Sequence, residues 1–417
     1  MKKKCKEHGN FSSLIFSDAK LYHKIKKYNK PGKKPKKFFS EVKKSCPYDC
    51  GICSNHKQHT CLGIIEITNS CNQNCKTCFA DSNGSNFLSI KKINEMLDTF
   101  LECEDNLEVL QISGGEPTLH PKIVEILKLA NSKNFKSIML NTNGKRIAND
   151  IGFVKDLAKI RPTIYLQFDG FDRETYMKLR SEDLRKVKDK AIKNLEKKGN
   201  LPVILVATLQ RGVNEHEIGK IIDFVLNKPL IKGVSFQPTT YCNRYPNYDP
   251  MDIITIPEVI EEIEKQTNKR LLKSDFYPIP CPYPSCSFIS YVFIKSNKEL
   301  STLPRIIDIG DYLDFFSNKI MPDFNKVIQN AVNSLYSTSA VPATEKIVRA
   351  YCEACSMNFN FKQVESKIKV ISIMHFMDPY TFDLERTQKC CIHEVLPNGK
   401  MIPFCVYNNI YRRKNEH

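Results

Sequence analysis

From residue 62 onward, short β-rich apolar runs alternate with stretches whose apolar positions recur every three or four residues. The runs are LGIIEIT (62–68), LEVLQIS (107–113), KSIMLNT (136–142), TIYLQFD (163–169), PVILVAT (202–208) and KGVSFQP (232–238). Between them lie amphipathic stretches such as SIKKINEMLDTFLE (89–102), PKIVEILKLANSK (121–133) and EHEIGKIIDFVLN (215–227). Six β-α units in succession predict parallel strands joined by crossover helices, an α/β fold. The near-continuous apolar strands predict a sheet covered on one face and filled on the other, as in a full or partial barrel. Reactive groups then belong at the C-terminal strand ends.

Polar residues gather there. Cys71, Cys75 and Cys78 form a C-x3-C-x2-C run just after the first strand, with Phe79 directly behind the last thiol. Ser113, Gly114, Gly115 and Glu116 in SGGEP follow the second strand. Asn141 and Asn143 in NTNG end the third, and Gln167 and Asp169 in QFDG end the fourth. Four strands therefore converge on one rim.

At 417 residues and 41% hydrophobic, the chain buries a substantial core as one large domain with additions or as two domains. No apolar run reaches the ~18 residues needed to span a bilayer, and MKKKCKEHGNFSS lacks the apolar stretch of a secretory signal. The expectation is a cytoplasmic protein. In a reducing compartment seventeen cysteines are rarely a disulfide framework, and the odd total also opposes complete pairing, so most of them are expected to hold metal. The net charge is +17, and residues 1–50 carry fifteen lysines against Glu7, Asp18, Glu41 and Asp49. Such an arm either attracts a phosphate-rich partner, a nucleic acid or the inner membrane face, or is simply a solvated charge run.

Three thiolates raise the question of the missing fourth. A cluster held by four cysteines is closed and chiefly passes electrons. With three, a 4Fe-4S cluster keeps one iron open for an exogenous ligand, as a catalytic zinc site keeps one position for chemistry. CPYDCGIC repeats the spacing with Cys46, Cys50 and Cys53, but it follows a lysine-rich loop, lacks the aromatic, and has Cys61 nearby as a fourth ligand. Cys46, Cys50, Cys53 and Cys61 are therefore expected to form a closed auxiliary cluster, or a structural zinc site in which His56 or His59 replaces a thiolate. A second closed cluster is expected from Cys281, Cys286, Cys390 and Cys405, with Cys352 and Cys355 as rival ligands; Cys103 and Cys242 read as ordinary buried thiols.

The C-x3-C-x2-C run after the first strand, the aromatic behind it and GGEP after the second strand resemble the radical S-adenosylmethionine (radical SAM) enzymes. The resemblance implies a partial (β/α)6 barrel with N- and C-terminal cysteine-rich Fe-S extensions. It also implies S-adenosylmethionine (SAM) chelated at the open iron of the cluster on Cys71, Cys75 and Cys78, and cleaved reductively to a 5'-deoxyadenosyl radical. By the same resemblance Gly114, Gly115 and Glu116 receive the cofactor's amino group, while Phe79, Ser113, Asn141, Asn143, Gln167 and Asp169 are cofactor or substrate contacts. Two auxiliary 4Fe-4S clusters and a low-potential electron donor of the ferredoxin or flavodoxin type are implied, and no nucleic acid.

CPYDCGICSNHKQHTCLGIIEITNSCNQNCKTCFADS, PIPCPYPSC and HFMDPYTFDLERTQKCCIHEVLPNGKMIPFC together are similar to the archaeal tetraether lipid synthases and to their relatives described as dihydropterin dimethyltransferases. The expectation that follows is coupling of isoprenoid lipid chain ends, with methylation of a dihydropterin as the alternative. A zinc-stabilised nucleic-acid binder is the alternative of another class. CKEHGNF resembles the second half of a rubredoxin-like knuckle whose first C-x2-C pair is absent. The organisation expected is a basic arm (1–45), an auxiliary-cluster segment (46–61), the core (62–241) and a C-terminal substrate and auxiliary-cluster region (242–417). The apolar stripe Ile309, Leu313, Phe316, Ile320, Phe324, Val327, Ile328 and Leu335 lines a lipid tunnel, touches a membrane, or is plain core. His375 and Asp378 are either substrate contacts or structural residues.

Overall fold

The computed structural model describes residues 1–412 except 81, 105–107, 246–247, 296–298, 307, 314–316 and 320–367. Cys352, Cys355 and the stripe from Phe316 to Leu335 lie outside the described residues. Ile309 and Leu313, which begin that stripe, are buried in a small cluster with Tyr277, Tyr291 and Leu303.

The chain opens with a hairpin of β1 (Lys2–Cys5) and β2 (Gly9–Ser12). The six expected strands follow as β3 (Leu62–Glu66), β4 (Val109–Ser113), β5 (Ser137–Thr142), β6 (Thr163–Gln167), β7 (Val203–Leu209) and β8 (Ile231–Pro238). They pair in sequence order and all in parallel. Beyond them come β9 (Tyr277–Pro278), β10 (Ser287–Ile294), β11 (Leu300–Thr302), β12 (Ile368–Met374), β13 (Ile392–Val395) and β14 (Met401–Pro403).

β12 adds in parallel to β8, and β13 adds in parallel to β3. The C-terminal segment thus extends the sheet at both edges, and eight parallel strands stand side by side in the order β12-β8-β7-β6-β5-β4-β3-β13. Antiparallel β10 and β14 flank this array.

The crossover helices form because their apolar positions fall on one face. In Ile90–Cys103, capped by the Ser89 side chain on the Lys92 amide at 3.2 Å, the buried positions are Ile93, Met96, Leu97, Phe100 and Cys103. Burying each of the larger ones contributes about 1.5–3 kcal/mol. Strand period two divides the sheet faces. Ile138, Leu140, Ile164 and Leu166 point to the helices and are buried there, whereas Asn141, Tyr165 and Gln167 line a cavity inside the barrel. The inner face is therefore more polar than near-continuous apolar strands imply.

The lysine-rich start of the chain packs on the body of the protein. The Lys3 ammonium donates to the Phe382 carbonyl at 2.9 Å, the Leu14 amide to Pro250 at 2.9 Å and the Lys36 amide to Cys103 at 3.0 Å. Among the described residues no helix is long and apolar enough to cross a membrane.

Candidate active site at the mouth of the barrel

The loop carrying Cys71, Cys75 and Cys78 leaves the C-terminal end of β3 and is held from several sides. The Gly115 amide donates to the Thr68 carbonyl and the Glu116 amide to the Ser70 carbonyl, both at 2.8 Å. Cys78 and Arg244 exchange backbone bonds of 3.2 and 3.4 Å, and the Arg244 guanidinium reaches Asn74 Oδ1 at 2.7 Å. The Asn143 side chain donates to Asn72 Oδ1 at 2.8 Å, while Asn243 Nδ2 donates to the Phe79 carbonyl.

The paired glycines are required by this close approach. Gly114 has φ +130°, and a Cβ there would lie 2.3 Å from the Thr68 carbonyl oxygen; at Gly115 it would lie 2.2 Å from that of Ser70. Neither obstacle is a flexible side-chain end. Gly114→Ala is expected to cost about 1–3 kcal/mol or more in stability and to displace the cysteine loop. Denaturant unfolding together with SAM affinity measures both effects.

A cavity of about 260 Å³ opens at this rim. Its wall includes all three thiols with Phe79, then Ser113 to Glu116, and Asn141, Asn143 and Gln167. Asn141 Nδ2 donates to Ser113 Oγ at 3.1 Å. Two expected contacts are occupied internally. The buried Glu116 carboxylate accepts from the Thr118 amide and hydroxyl at 3.1 and 2.5 Å, from Thr142 Oγ1 at 2.8 Å and from the Asn143 amide at 2.7 Å, bracing the end of β4 against that of β5.

Asp169 does not line the cavity. It is fully buried and paired with Arg180, whose Nε and Nη2 lie 2.8 and 2.7 Å from its two oxygens, while the Thr208 amide donates at 3.1 Å and Gln167 Nε2 also donates.

Arg180 and Thr208 themselves face the cavity, a role that no local motif announces. Nor does Lys188, fully buried, whose ammonium donates to the Asn143 carbonyl at 2.6 Å and to Gln167 Oε1 at 2.7 Å. Burial outweighs the attraction of Asp169 and lowers its pKa to about 7.

Burial raises the Cys71 thiol to about 11, and Glu116, Cys75 and Cys78 add to the rise while the Gln73 amide opposes it. A thiolate at Cys71 therefore needs a compensating cation, which an iron-sulfur cluster supplies. The donor set, free of disulfides and open to the cavity, fits such a group.

The remaining cysteines group differently from the expected sets. Cys61 Sγ lies 2.8 Å from Cys281 Sγ, and Cys61, Cys281 and Cys391 bring their sulfurs within 4.8 Å of one another, all buried. His59 Nε2 is 3.6 Å from Cys61 Sγ. Cys61 thus stands with Cys281 and Cys391, not in a set with Cys46, Cys50 and Cys53. The cause is strand pairing: Cys61 directly precedes β3, Cys391 directly precedes β13, and the Cys61 amide donates to the Cys391 carbonyl at 2.9 Å. Burial raises Cys281, but hydrogen bonds from Cys391 and Cys61 outweigh it and bring the thiol down to about 6.

The other expected set, Cys281, Cys286, Cys390 and Cys405, likewise divides. Cys281 leaves it, whereas Cys405 and Cys286 both act on Cys390 and flank Arg386, whose Nε lies 3.3 Å from Cys286 Sγ. The hydrogen bond that Cys50 donates to Cys46 and burial both raise Cys50, and Cys53 and Cys390 add to the rise. Cys103 and Cys242 are buried, as expected, although Cys242 also touches the cavity.

His375 and Asp378 do not line the cavity. Burial lowers His375 to about 3, and Asp378 Oδ1 accepts the Tyr380 and Thr381 amides at 2.8 Å each. In the N-terminal hairpin Cys5 Sγ faces His8 Nδ1 at 3.3 Å.

Residues 65–225 match the Radical SAM superfamily profile. The chain is 34% identical to 7,8-dihydro-6-hydroxymethylpterin dimethyltransferase of Methanocaldococcus jannaschii, over all of this chain and 90% of that protein. It is 26% identical to GTP 3',8-cyclase of Haemophilus influenzae, over 40% of this chain and 50% of that one. Streptococcus suis SuiB, solved with its precursor peptide SuiA, superposes on 52% of this chain and 49% of its own, with a TM-score of 0.42 and 18% identity. With a full-length relative of this identity and the cysteine loop at the mouth of a parallel α/β barrel, the chain belongs to the radical SAM superfamily.

Proposed function

We propose that this radical SAM enzyme is a methyltransferase acting on a carbon of a reduced pterin. The observation that carries the reading is the 34% identity, over the full chain, to a dihydropterin dimethyltransferase. When bound, a 4Fe-4S cluster with SAM at its open iron supplies reductive SAM cleavage and hence hydrogen abstraction from an unactivated carbon.

Cys71, Cys75 and Cys78 would hold that cluster. The backbone of Ser113 to Glu116 presents its polar groups to the cofactor amino end, and the Glu116 carboxylate positions that backbone through the bonds it accepts from Thr118, Thr142 and Asn143. Asn141, Asn143 and Gln167 offer amide groups to cofactor or substrate in the same cavity. Cys46, Cys50 and Cys53, the trio Cys61, Cys281 and Cys391, and the neighbours Cys286, Cys390 and Cys405 are the ligand sets for auxiliary clusters. A low-potential ferredoxin- or flavodoxin-type donor supplies the electrons.

Lipid chain coupling, the first expectation, gives way to its alternative. An isoprenoid end would leave polar groups of the inner wall, Gln111 and Glu394 among them, without hydrogen-bond partners, at about 1–3 kcal/mol each. Membrane contact through the lysine-rich segment has no separate support, and the nucleic-acid alternative yields to membership of an enzyme superfamily.

The test incubates anaerobically reconstituted protein with SAM and reductant, adding either 6-hydroxymethyl-7,8-dihydropterin or archaeal phospholipid. The pterin is expected to stimulate 5'-deoxyadenosine formation and to gain methyl mass. Stimulation by the phospholipid alone, or by neither compound, overturns the reading.

A further inference from the structure

We propose that Glu394 is the residue that recognises the substrate's polar edge, its carboxyl receiving the paired N–H donors of a cyclic 2-amino-4-oxopyrimidine. The inference rests on the pterin reading and deepens it by placing the heterocycle inside the barrel.

Glu394 lies on β13, a strand added to the barrel from the far end of the chain. Its register is fixed: Glu394 stands opposite Ile64 of β3, and Ile64 opposite Gln111 of β4. In parallel strands such neighbours share a face, and all three line the cavity. This tier lies two residues inward from Glu66 and Ser113, roughly 6–7 Å deeper than the rim.

Two features distinguish Glu394 from the other carboxylates of the site. It is 1% exposed yet lines the cavity, and among the described residues its side chain makes no hydrogen bond or ion pair. Glu116 and Asp169, by contrast, are saturated by their own neighbours. Arg412, the cation that acts on Glu394, is also committed: it grips Glu66 with two bonds of 2.7 and 2.9 Å, and its Nε donates to Asn408 at 2.9 Å.

A buried carboxyl without a partner is costly, and such groups call for a ligand or a strong local reason. Burial and the nearby Glu66 hold it well above the usual carboxylate range, with Arg412 opposing them. Two incoming N–H donors favour the ionised form. The ring N–H and exocyclic amino group of a 2-amino-4-oxopyrimidine present two adjacent donors in one plane, matching the two oxygens of a carboxylate. Gln111 on the same tier has a side chain that makes no hydrogen bond among the described residues, and it can donate to the adjoining ring carbonyl. An alkyl chain end offers none of these groups.

The test uses the iron-loaded, full-length enzyme and two probes, 6-hydroxymethyl-7,8-dihydropterin and its 2-oxo counterpart, a dihydrolumazine that lacks the amino donor. Binding is followed anaerobically by probe fluorescence. The natural chain is expected to prefer the pterin by about 10- to 100-fold, and Glu394→Gln to reduce that preference to within a few-fold. Because the preference is a ratio within one preparation, partial misfolding does not imitate its loss, and iron content with SAM affinity is recorded for each variant. An unchanged preference in Glu394→Gln overturns the inference, as does a fall in SAM affinity equal to that for the pterin. A natural chain that binds pterin without preference overturns the inference and leaves the pterin reading standing. One that binds neither probe overturns both.

Discussion

Replacing Cys71, Cys75 and Cys78 together by Ala is expected to abolish 5'-deoxyadenosine formation, by at least about 1000-fold, because no other residue type at this rim replaces three thiolates as iron ligands. The three line the same cavity as Ser113 to Glu116, and their loop is tied to that backbone at Thr68 and Ser70. The other run of identical spacing, Cys46, Cys50 and Cys53, sits outside this cavity, against Gln388 and Pro403. With the proposed auxiliary ligand sets untouched, the variant is expected to keep most of its iron. Product chromatography and iron and sulfide analysis on anaerobically purified protein read both quantities. Persistent SAM cleavage would move the reactive cluster to the Cys46 run and undo the assignment of the site.

Removing the Arg180 guanidinium should cause the largest loss of stability, about 3–5 kcal/mol for Arg180→Leu. Its partner Asp169 is completely buried, and Arg180 supplies two of the bonds that hold its carboxylate. Arg180 Nη2 also reaches Thr208 Oγ1 at 2.7 Å, so the pair fastens the helix Arg173–Arg180 to the end of β7. Without the cation the carboxylate remains in a low-dielectric interior with only neutral donors. Lys159 and Asp156 provide the contrast: they are 74% and 45% exposed at 2.8 Å, and separating them should cost under about 1 kcal/mol. Denaturant unfolding of Arg180→Leu, Asp169→Leu and the double variant measures the coupling, since the double variant leaves neither charge of the pair in the interior and should recover part of the loss. If Arg180→Leu costs no more than Lys159→Ala, the charge in the interior is not what the pair neutralises.

Several features of the fold were legible because they are local. Six apolar runs became β3 to β8 in the expected order, and Ser89 with Ile93, Met96, Leu97 and Phe100 marked a helix by spacing alone. Cys71, Cys75, Cys78 and SGGEP announced the rim by their place directly after strands. The use of each polar group was not legible. Glu116 and Asp169 look like exposed site carboxylates in sequence, yet Thr118, Thr142 and Asn143 saturate one and Arg180 the other. Glu394, hidden in the run CIHEVLP, carried no signal beyond a charged residue in a short apolar strand.

The amino-acid order by itself determined the repeating β-α units, the crossover topology and the three-thiol loop, since these depend on periodicities of two and 3.6 residues and on spacings of a few residues. Only the tertiary structure decided which distant segments extend the partial barrel at its edges, and with them the partnering of the cysteines and the inner wall. β12 and β13 join opposite edges from beyond residue 367, bringing Cys391 to Cys61 and Glu394 to the cavity. Pairing across more than 300 residues is set by edge hydrogen bonds and register, and neither leaves a mark in local hydrophobic order.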